Sequence, residues 1–172
     1  MAAYDLVVLA DTEARTLRPN MRQWLAAFVQ RGGRLLLLGG PYAFGRGGWA
    51  DDELTADLLP VTLHRNDLDF AGKMKPVKLV PTGKPAAGLD YRAEPLVVWQ
   101  HNAEAKPGVT VVATAGGKPA IAYGDCGKGK VAVVLVAPLG EVPPGATAFW
   151  DWSDWPSLMQ GLVRTLLANK TP

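Results

Sequence analysis

The segment RLLLLGGPYAFG, residues Arg34–Gly45, decides the fold of the chain. Its four consecutive leucines, Leu35–Leu38, cannot alternate between a buried and an exposed face, so they predict a strand buried on both faces, as in a parallel sheet. The strand ends in a Gly-Gly-Pro turn. Loops at the carboxyl ends of strands carry the ligand and catalytic groups of open α/β sheets. We therefore expect the site here, although the first five turn residues include no Cys, Ser, His, Asp or Glu.

The residues before this strand predict a βαβ unit. Asp5–Ala10 is a run of branched and apolar residues typical of a central strand. A helix follows, with Pro19 in its first turn and Gly32-Gly33 after its end. Its apolar stripe, at helical spacing, consists of Met21, Trp24, Leu25, Phe28 and Val29.

The second half of the chain predicts antiparallel strands. The runs Val109–Thr114, Ala120–Tyr123 and Val131–Val136 are separated by turns too short for a crossover. A last helix begins near Ser153 or Asp154, with Pro156 in its first turn. The expected fold is a single α/β domain over residues 1–172, with a mixed, mainly parallel sheet, helices on both faces and a C-terminal antiparallel meander.

Composition excludes several classes of protein. At 172 residues and a net charge of +2, the chain gives no basis for a nucleic-acid or membrane-surface partner. No apolar run approaches 18 residues and the N-terminus does not resemble a signal peptide, so no membrane span is expected and a cytoplasmic location is favoured. A lone cysteine, Cys126, rules out an internal disulfide framework and a four-thiolate zinc site.

Two groups of residues are candidates for binding. Asp11 and the loop Gly39–Trp49 both follow parallel strands, so they should face one crevice. The second group is the loop around Trp150–Trp152, which is rich in aromatic residues and carboxylates. The alternative for both is structural: a capping aspartate, and aromatic side chains that pack against the core. The residues expected to bind a ligand are Asp11, Gly39, Gly40, Tyr42, Phe44, Trp49, His101, Trp150, Asp151 and Trp152.

Three other motifs are better explained by structural roles than by catalysis or by phosphate or metal binding. The segment Gly124–Lys130 fits the start of a phosphate-binding loop, but Val131 stands where Ser or Thr is needed and a strand follows instead of a helix. It therefore predicts a glycine-rich hairpin turn. Cys126 within it has no expected activating neighbour. His64 with Asp67 and Asp69, and His101 with Glu104, lack metal-ligand spacing, so no metal, cofactor or catalytic residue is predicted.

The chain resembles a family of uncharacterised bacterial glutamine amidotransferase-like proteins, related to class I amidotransferase and trehalose-utilisation-like folds. The resemblance runs along nearly the whole chain. It rests on Tyr4–Leu9, Phe28-Val29, Gly32–Leu36, Leu38–Gly40, Phe44-Gly45, Gly48-Trp49, Leu58–Val61, Gly127–Val131 and the series Trp150, Trp152, Trp155.

The resemblance implies a flavodoxin-like three-layer sandwich. Class I amidotransferases carry a nucleophilic cysteine in the turn after this strand, with later His and Glu, and the turn Leu38–Tyr42 has no cysteine. Such folds also have a strand and helix before the Asp5 strand. We therefore expect either a fragment of a larger protein or a shortened form whose sheet edge another chain covers, as in a homo-oligomer.

The functional hypothesis is a non-catalytic amidotransferase-like module, a pseudoenzyme that binds a small molecule or a protein. Two alternatives stay open. One is a hydrolase on sugar or amide substrates that uses Asp11, His101 or Asp151. The other is a structural domain of a larger protein.

Overall fold

A computed structural model describes residues 4–64, 75–86 and 88–168. In chain order, the strands are β1 (Leu6–Ala10), β2 (Arg34–Leu38), β3 (Val61–Leu63), β4 (Val77–Pro81), β5 (Leu96–Val97), β6 (Trp99–Gln100), β7 (Ala103–Ala105), β8 (Thr110–Ala115), β9 (Lys118–Cys126), β10 (Gly129–Val134) and β11 (Val136–Ala137). The helices are α1 (Pro19–Gln30), α2 (Glu53–Leu58) and α3 (Trp155–Leu167), and a 3-10 turn spans Ala14–Thr16.

Seven strands form one mixed sheet in the order β1-β2-β10-β9-β8-β4-β5. Only the pairs β1–β2 and β2–β10 are parallel, with Val8 and Ala132 each opposite Leu36. The pairs β10–β9, β9–β8, β8–β4 and β4–β5 are antiparallel. The expectation of a mainly parallel sheet is therefore wrong: four of the six strand pairs are antiparallel, and short turns close two of them.

The predicted meander is confirmed. Strands β8, β9 and β10 are joined by two tight turns, and all glycines of these turns have positive φ: Gly116, Gly117 and Gly127. The Gly124–Lys130 segment is accordingly a hairpin, in which Gly129 pairs with Cys126. Two small sheets, β3–β7 and β6–β11, lie beside the main one.

The core has two halves, one on each face of the sheet. Alternate residues of β2 enter different halves: Leu35 and Leu37 pack with α1 and α2, whereas Leu36 packs with α3. The same alternation holds on β10, where Val133 and Val134 face opposite ways. This explains the leucine run: both faces of the strand are covered, so neither face can be polar.

The helix boundaries follow local chemistry. Pro19 opens α1 and Pro156 lies in the first turn of α3, where the missing N–H costs nothing. The Asp52 side chain caps α2 by accepting the Thr55 N–H at 3.0 Å. After α1, Gly32 adopts φ 105°, a conformation that favours glycine.

Arg34 joins three separate parts of the fold. It is almost fully buried at the start of β2. Its Nε donates to the Leu166 carbonyl at the end of α3 at 2.6 Å. Its Nη1 donates to the Gly32 carbonyl at 2.6 Å and to the Lys128 carbonyl at 3.4 Å. Within the described residues, no helix is long and apolar enough to span a membrane.

Candidate functional site at the carboxyl ends of the parallel strands

Asp11 links the turns after β1 and β2. Its backbone N–H donates to the Leu38 carbonyl at 3.0 Å, and its Oδ1 accepts the Tyr42 N–H at 2.7 Å. The residue has φ 45°, the left-handed region that Asp tolerates better than most side chains. Asp11 therefore fixes the position of the turn that follows β2.

The two turn glycines are required by close packing. A Cβ on Gly39 would lie 2.7 Å from the Val136 carbonyl oxygen and 2.9 Å from that of Val134. A Cβ on Gly40 would lie 2.3 Å from Cγ of Asp11. The absence of side chains at both positions thus has a structural reason, independent of any ligand.

His101 approaches the same turn from the other side. Its side chain is fully buried, and its Nε2 lies 3.1 Å from the Gly40 carbonyl oxygen. Its backbone N–H donates to the Leu135 carbonyl, which follows β10. The ring meets the edge of Phe44, with centroids 4.8 Å apart. Asp11 and His101, 90 positions apart, thus converge on the turn between Gly40 and Tyr42.

The rest of the loop after β2 is folded onto the turn after β1. Phe44 is buried with φ 50°, a strained conformation for an aromatic residue. Trp49 is fully buried, and its indole Nε1 donates to the Thr12 carbonyl at 2.8 Å. Arg15 forms an ion pair with Asp51 at 2.7 Å. The expected crevice is therefore a packed junction of two loops, and we call Asp11–Thr12 with Gly39–Trp49 and His101 the carboxyl-edge junction.

Tyr42 is the exposed aromatic residue of this junction. Its side chain is 54% exposed, whereas Phe44 and Trp49 point into the core. The hydrogen bond from the Tyr42 N–H to Asp11 fixes the backbone that carries this exposed aromatic ring. An ordered, exposed ring is the type of group that contacts ligands or partner proteins.

The second predicted group lies elsewhere. The segment before Trp150 lies alongside β5 and is hydrogen-bonded to it. The Leu96 N–H donates to the Thr147 carbonyl, and the Phe149 N–H donates to the Leu96 carbonyl. Strand β5 is the last of the seven, roughly 30 Å from β1 at the usual strand spacing. Seven of the ten predicted residues belong to the carboxyl-edge junction, and Trp150, Asp151 and Trp152 are separate from it.

Trp152 has a packing role. Its side chain is buried, its Nε1 donates to the Asp90 carbonyl at 2.9 Å, and its ring lies 4.5 Å from that of Tyr91. Burial raises the pKa of Tyr91 to about 12, with Asp154 adding to the effect. The hydrogen bond from the Arg92 side chain lowers the pKa of the exposed Asp90 to about 2. Trp150 packs edge-on against Phe149, and Asp151 is exposed.

Cys126 lies at the opposite end of the sheet. It ends β9 in the hairpin next to Arg34, the first residue of β2, whereas the carboxyl-edge junction follows Leu38. The Gln30 amide Nε2 is 3.5 Å from its Sγ. Burial raises the pKa of the thiol, with Lys106 lowering it and Asp57 raising it. A raised pKa reduces the thiolate fraction, so this residue is a poor nucleophile.

The described residues contain no group of three or more His, Cys, Asp or Glu side chains arranged to hold a metal ion. His64 lies 3.8 Å from Glu104, an exposed pair. The carboxylates Asp67 and Asp69 are outside the described residues. A pocket of about 180 Å³ lies between α2 and β3, lined by Ala50, Ala56, Leu59, Val61, Thr62 and Leu63. No sequence signal predicted it, because its lining is apolar and without a motif.

The sequence also gave no sign of the residues that hold the junction from outside. Arg15 pairs with Asp51 across 36 positions, and Thr12 contributes only its carbonyl to Trp49. Neither contact follows from periodicity or a local motif. In the sequence, nothing distinguishes Arg15 from any other exposed basic residue.

These features define an α/β protein with a β1-α1-β2 unit and a closed junction at the carboxyl ends of its parallel strands. The family model described as "Putative glutamine amidotransferase" matches residues 1–168, and the chain therefore belongs to that family. This confirms the family resemblance predicted from the sequence. No curated protein matches the sequence of the chain.

Solved structures share the fold at low sequence identity. A cytoplasmic protein from Salmonella typhimurium has 21% identity and a TM-score of 0.79, covering 95% of this chain and 72% of that one. A second, from Salmonella typhimurium LT2, has 22% identity and a TM-score of 0.72, with 96% and 73% covered. A β-galactosidase from Bacillus circulans sp. alkalophilus has 13% identity and a TM-score of 0.59, with 97% of this chain but 22% of that one covered.

Proposed function

We propose that the protein is a non-catalytic amidotransferase-like module that binds a ligand or partner at the carboxyl-edge junction, with Tyr42 as the contacting side chain. The observation that carries the proposal is strain: Asp11 and Phe44 both have positive φ, and both belong to this junction. Strained non-glycine residues are concentrated at functional sites, because the surrounding structure must hold them there.

The polar groups of the junction are engaged in supporting it. Asp11 Oδ1 accepts the Tyr42 N–H, and His101 Nε2 lies against the Gly40 carbonyl. His101 is fully buried, so substrate cannot reach it without rearrangement. The lone cysteine is at the other end of the sheet, with a raised pKa. These contacts support binding in preference to hydrolysis.

The test is a ligand screen read by amide chemical shifts in two-dimensional NMR. The probes are L-glutamine, acetate, glucose and galactose. We expect at least one probe to shift the amides of the carboxyl-edge junction, and Tyr42→Ala to abolish that shift. Val80→Ala is the control, because Val80 is 47% exposed and lies on β4, far from the junction in the sheet order.

The same samples are assayed for release of ammonia from L-glutamine and for hydrolysis of p-nitrophenyl acetate. We expect neither reaction above the uncatalysed rate. Activity that survives Cys126→Ala but is lost in Asp11→Ala would contradict the proposal and favour a hydrolase. Shifts confined to residues away from the junction would contradict it as well.

A second candidate function is that of a structural domain within a longer protein. It is favoured by the fold match to about one fifth of a β-galactosidase chain, which places a fold of this kind inside a larger enzyme. A screen in which none of the four probes binds would favour this alternative.

We also propose that the architecture is a modified flavodoxin-like three-layer sandwich, in which antiparallel strands replace one half of a parallel sheet. The support is the position of α1 and α3 in the two opposite halves of the core. An experimental structure with both helices on one face would refute it. The two Salmonella proteins of similar fold are named cytoplasmic proteins, which supports a cytoplasmic location for this one; cell fractionation tests this.

A further inference from the structure

The two edges of the main sheet differ. Strand β5 is two residues long, and the chain at Thr147–Phe149 hydrogen-bonds to Leu96 within it. Strand β1 is five residues long, Leu6–Ala10, and contains no charged residue and no proline. It pairs only with β2 among the described strands. Charges, proline or a covering segment normally protect an edge from pairing with another strand, and β1 has neither of the first two.

Apolar side chains are exposed on both flanks of this edge. On the α3 side, Val8 is 47% exposed and Tyr4 is exposed. On the α1 side, Met21 is 50% and Trp24 46% exposed, although the sequence predicted both within the buried stripe. Trp24 stacks on Phe28, with ring centroids 5.3 Å apart.

Met21 and Trp24 lie on one flank of α1, and the direction of that flank follows from the position of α2. The opposite flank carries Arg22, which forms an ion pair with Asp52 at the start of α2. Helix α2 leads into β3, which pairs with β7, and β7 packs near β9 on the far side of β2 from β1. The flank away from α2 is therefore the flank beside the β1 edge. These residues, Tyr4, Val8, Met21 and Trp24, with strand β1, are here called the β1 edge patch.

We propose that the β1 edge patch is the interface of a two-fold symmetric homodimer, in which the two β1 strands pair antiparallel. An edge row of N–H and C=O groups is a template for pairing with another strand, and a second copy supplies one. The result is a continuous fourteen-stranded sheet, twice the seven strands of one copy.

The positions of the exposed residues suit this symmetry. Val8 is the central residue of β1, and Trp24 lies at the middle of α1. A two-fold axis perpendicular to the sheet, midway between the two copies of Val8, places the two α1 helices antiparallel on the same face of the sheet. Trp24 then meets Trp24 of the second copy. The patch is thus complementary to itself, which an isologous interface requires.

The area of the patch is that of a dimer interface. Four half-exposed side chains, two of them aromatic, expose apolar area of the order of 400 Å². A stable interface buries about 800 Å² per partner, of which a little over half is apolar. The patch supplies the apolar share, and the strand edge with the polar surface of α1 supplies the remainder.

The first test is the molar mass of the full chain by light scattering after size exclusion, over a range of loading concentrations. We expect a dimer for the wild type. Val8→Lys and Trp24→Glu should each raise the dimer dissociation constant at least about tenfold, since they place a charge at the axis. The matched control is Val80→Lys, because Val80 is also 47% exposed but lies on β4, inside the sheet order.

A second test does not depend on weakening the interface. In a Cys126→Ser background, Val8→Cys should form an intermolecular disulfide under mild oxidation, because directly opposed residues of an antiparallel pair have Cα atoms roughly 5 Å apart. Val80→Cys should not. The proposal is overturned by a wild type that is monomeric at about 100 µM, by variants of the patch that dimerise as strongly as Val80→Lys, or by equal cross-linking at both positions.

Discussion

Asp11 shows how one residue can determine the geometry of a whole junction. It tolerates a positive φ and also supplies the acceptor for the Tyr42 N–H. Alanine lacks both properties, whereas asparagine retains both, since its side-chain oxygen can accept the same hydrogen bond and it tolerates the left-handed region.

We therefore expect Asp11→Ala to lower the free energy of unfolding by about 2 kcal/mol, combining the conformational cost with a lost hydrogen bond. Asp11→Asn should lower it by less than about 1 kcal/mol. Urea denaturation followed by tryptophan fluorescence measures both values. Equal destabilisation by the two variants would show that the carboxylate charge, and not the turn geometry, is what matters.

Tyr91 is a residue whose burial has a consequence at high pH. Its hydroxyl is buried and has no hydrogen-bond partner among the described residues, and burial raises its pKa from 10.0 to about 12. Between these values the unfolded chain loses the phenolic proton and the folded chain keeps it. The contribution of Tyr91 to the free energy of unfolding is therefore fully present below pH 10 and is lost as the pH rises from 10 toward 12.

We expect Tyr91→Phe to remove this part of the alkaline loss. Because the hydroxyl is unsatisfied, the variant should be as stable as the wild type at pH 7 or more stable by up to about 1 kcal/mol. Thermal denaturation of both proteins at several pH values between 7 and 11.5 measures the difference. A constant difference across that range would contradict the assignment to Tyr91, since all other titrating groups are shared.

At the scale of the element, the β9–β10 hairpin depends on one glycine. A Cβ on Gly129 would lie 2.2 Å from the Val29 carbonyl oxygen and 2.3 Å from that of Gly33. Both contacts are with backbone, which cannot move without displacing the end of α1 and the start of β2. The hairpin and the first βαβ unit are thus packed in direct contact.

Gly129→Ala should consequently cost about 3 kcal/mol of stability or more, as expected when an added atom overlaps rigid backbone. Gly83→Ala is the matched control, because a Cβ there would meet only the Val111 carbonyl oxygen at 3.7 Å. We expect a change within about 0.5 kcal/mol for the control. Chemical denaturation compares them, and a mild effect at Gly129 would mean that the end of α1 shifts easily.

The elements that could be predicted from sequence are those whose signals are local. The leucine run of β2, the prolines at the starts of α1 and α3, and the short turns of the meander each act within a few residues. Strands of two residues, such as β5 and β6, gave no usable signal, and the predicted run Val131–Val136 is divided between β10 and β11. Their pairing is decided by tertiary contacts, which override weak local preferences.

For the whole molecule, the site was predictable only in part. Asp11 and the loop after β2 could be placed together because carboxyl ends of neighbouring parallel strands share one edge. That His101 joins them, and that Trp150 and Trp152 lie elsewhere, depends on the strand order of the antiparallel half. Strand order is a long-range property, so sequence patterns could not decide it.

The exposure of Met21 and Trp24 is likewise a property of the whole sheet. Helical spacing places them near the apolar stripe, but an amphipathic helix at the end of a sheet has cover on only one flank. The apolar pattern shows which side chains of α1 can be buried. The strand order determines whether another element lies beside them.

The three hydrogen bonds from Arg34 to backbone carbonyls have a consequence for the order in which parts of the protein fold during synthesis. Two acceptors are Gly32 and Lys128, and the third is Leu166. A buried guanidinium that lacks an acceptor is costly. During vectorial synthesis, residue 34 emerges long before residue 166, so the start of β2 cannot reach its final environment until α3 has been made. Completion of the native core therefore waits for α3, which closes onto a strand made 132 residues earlier.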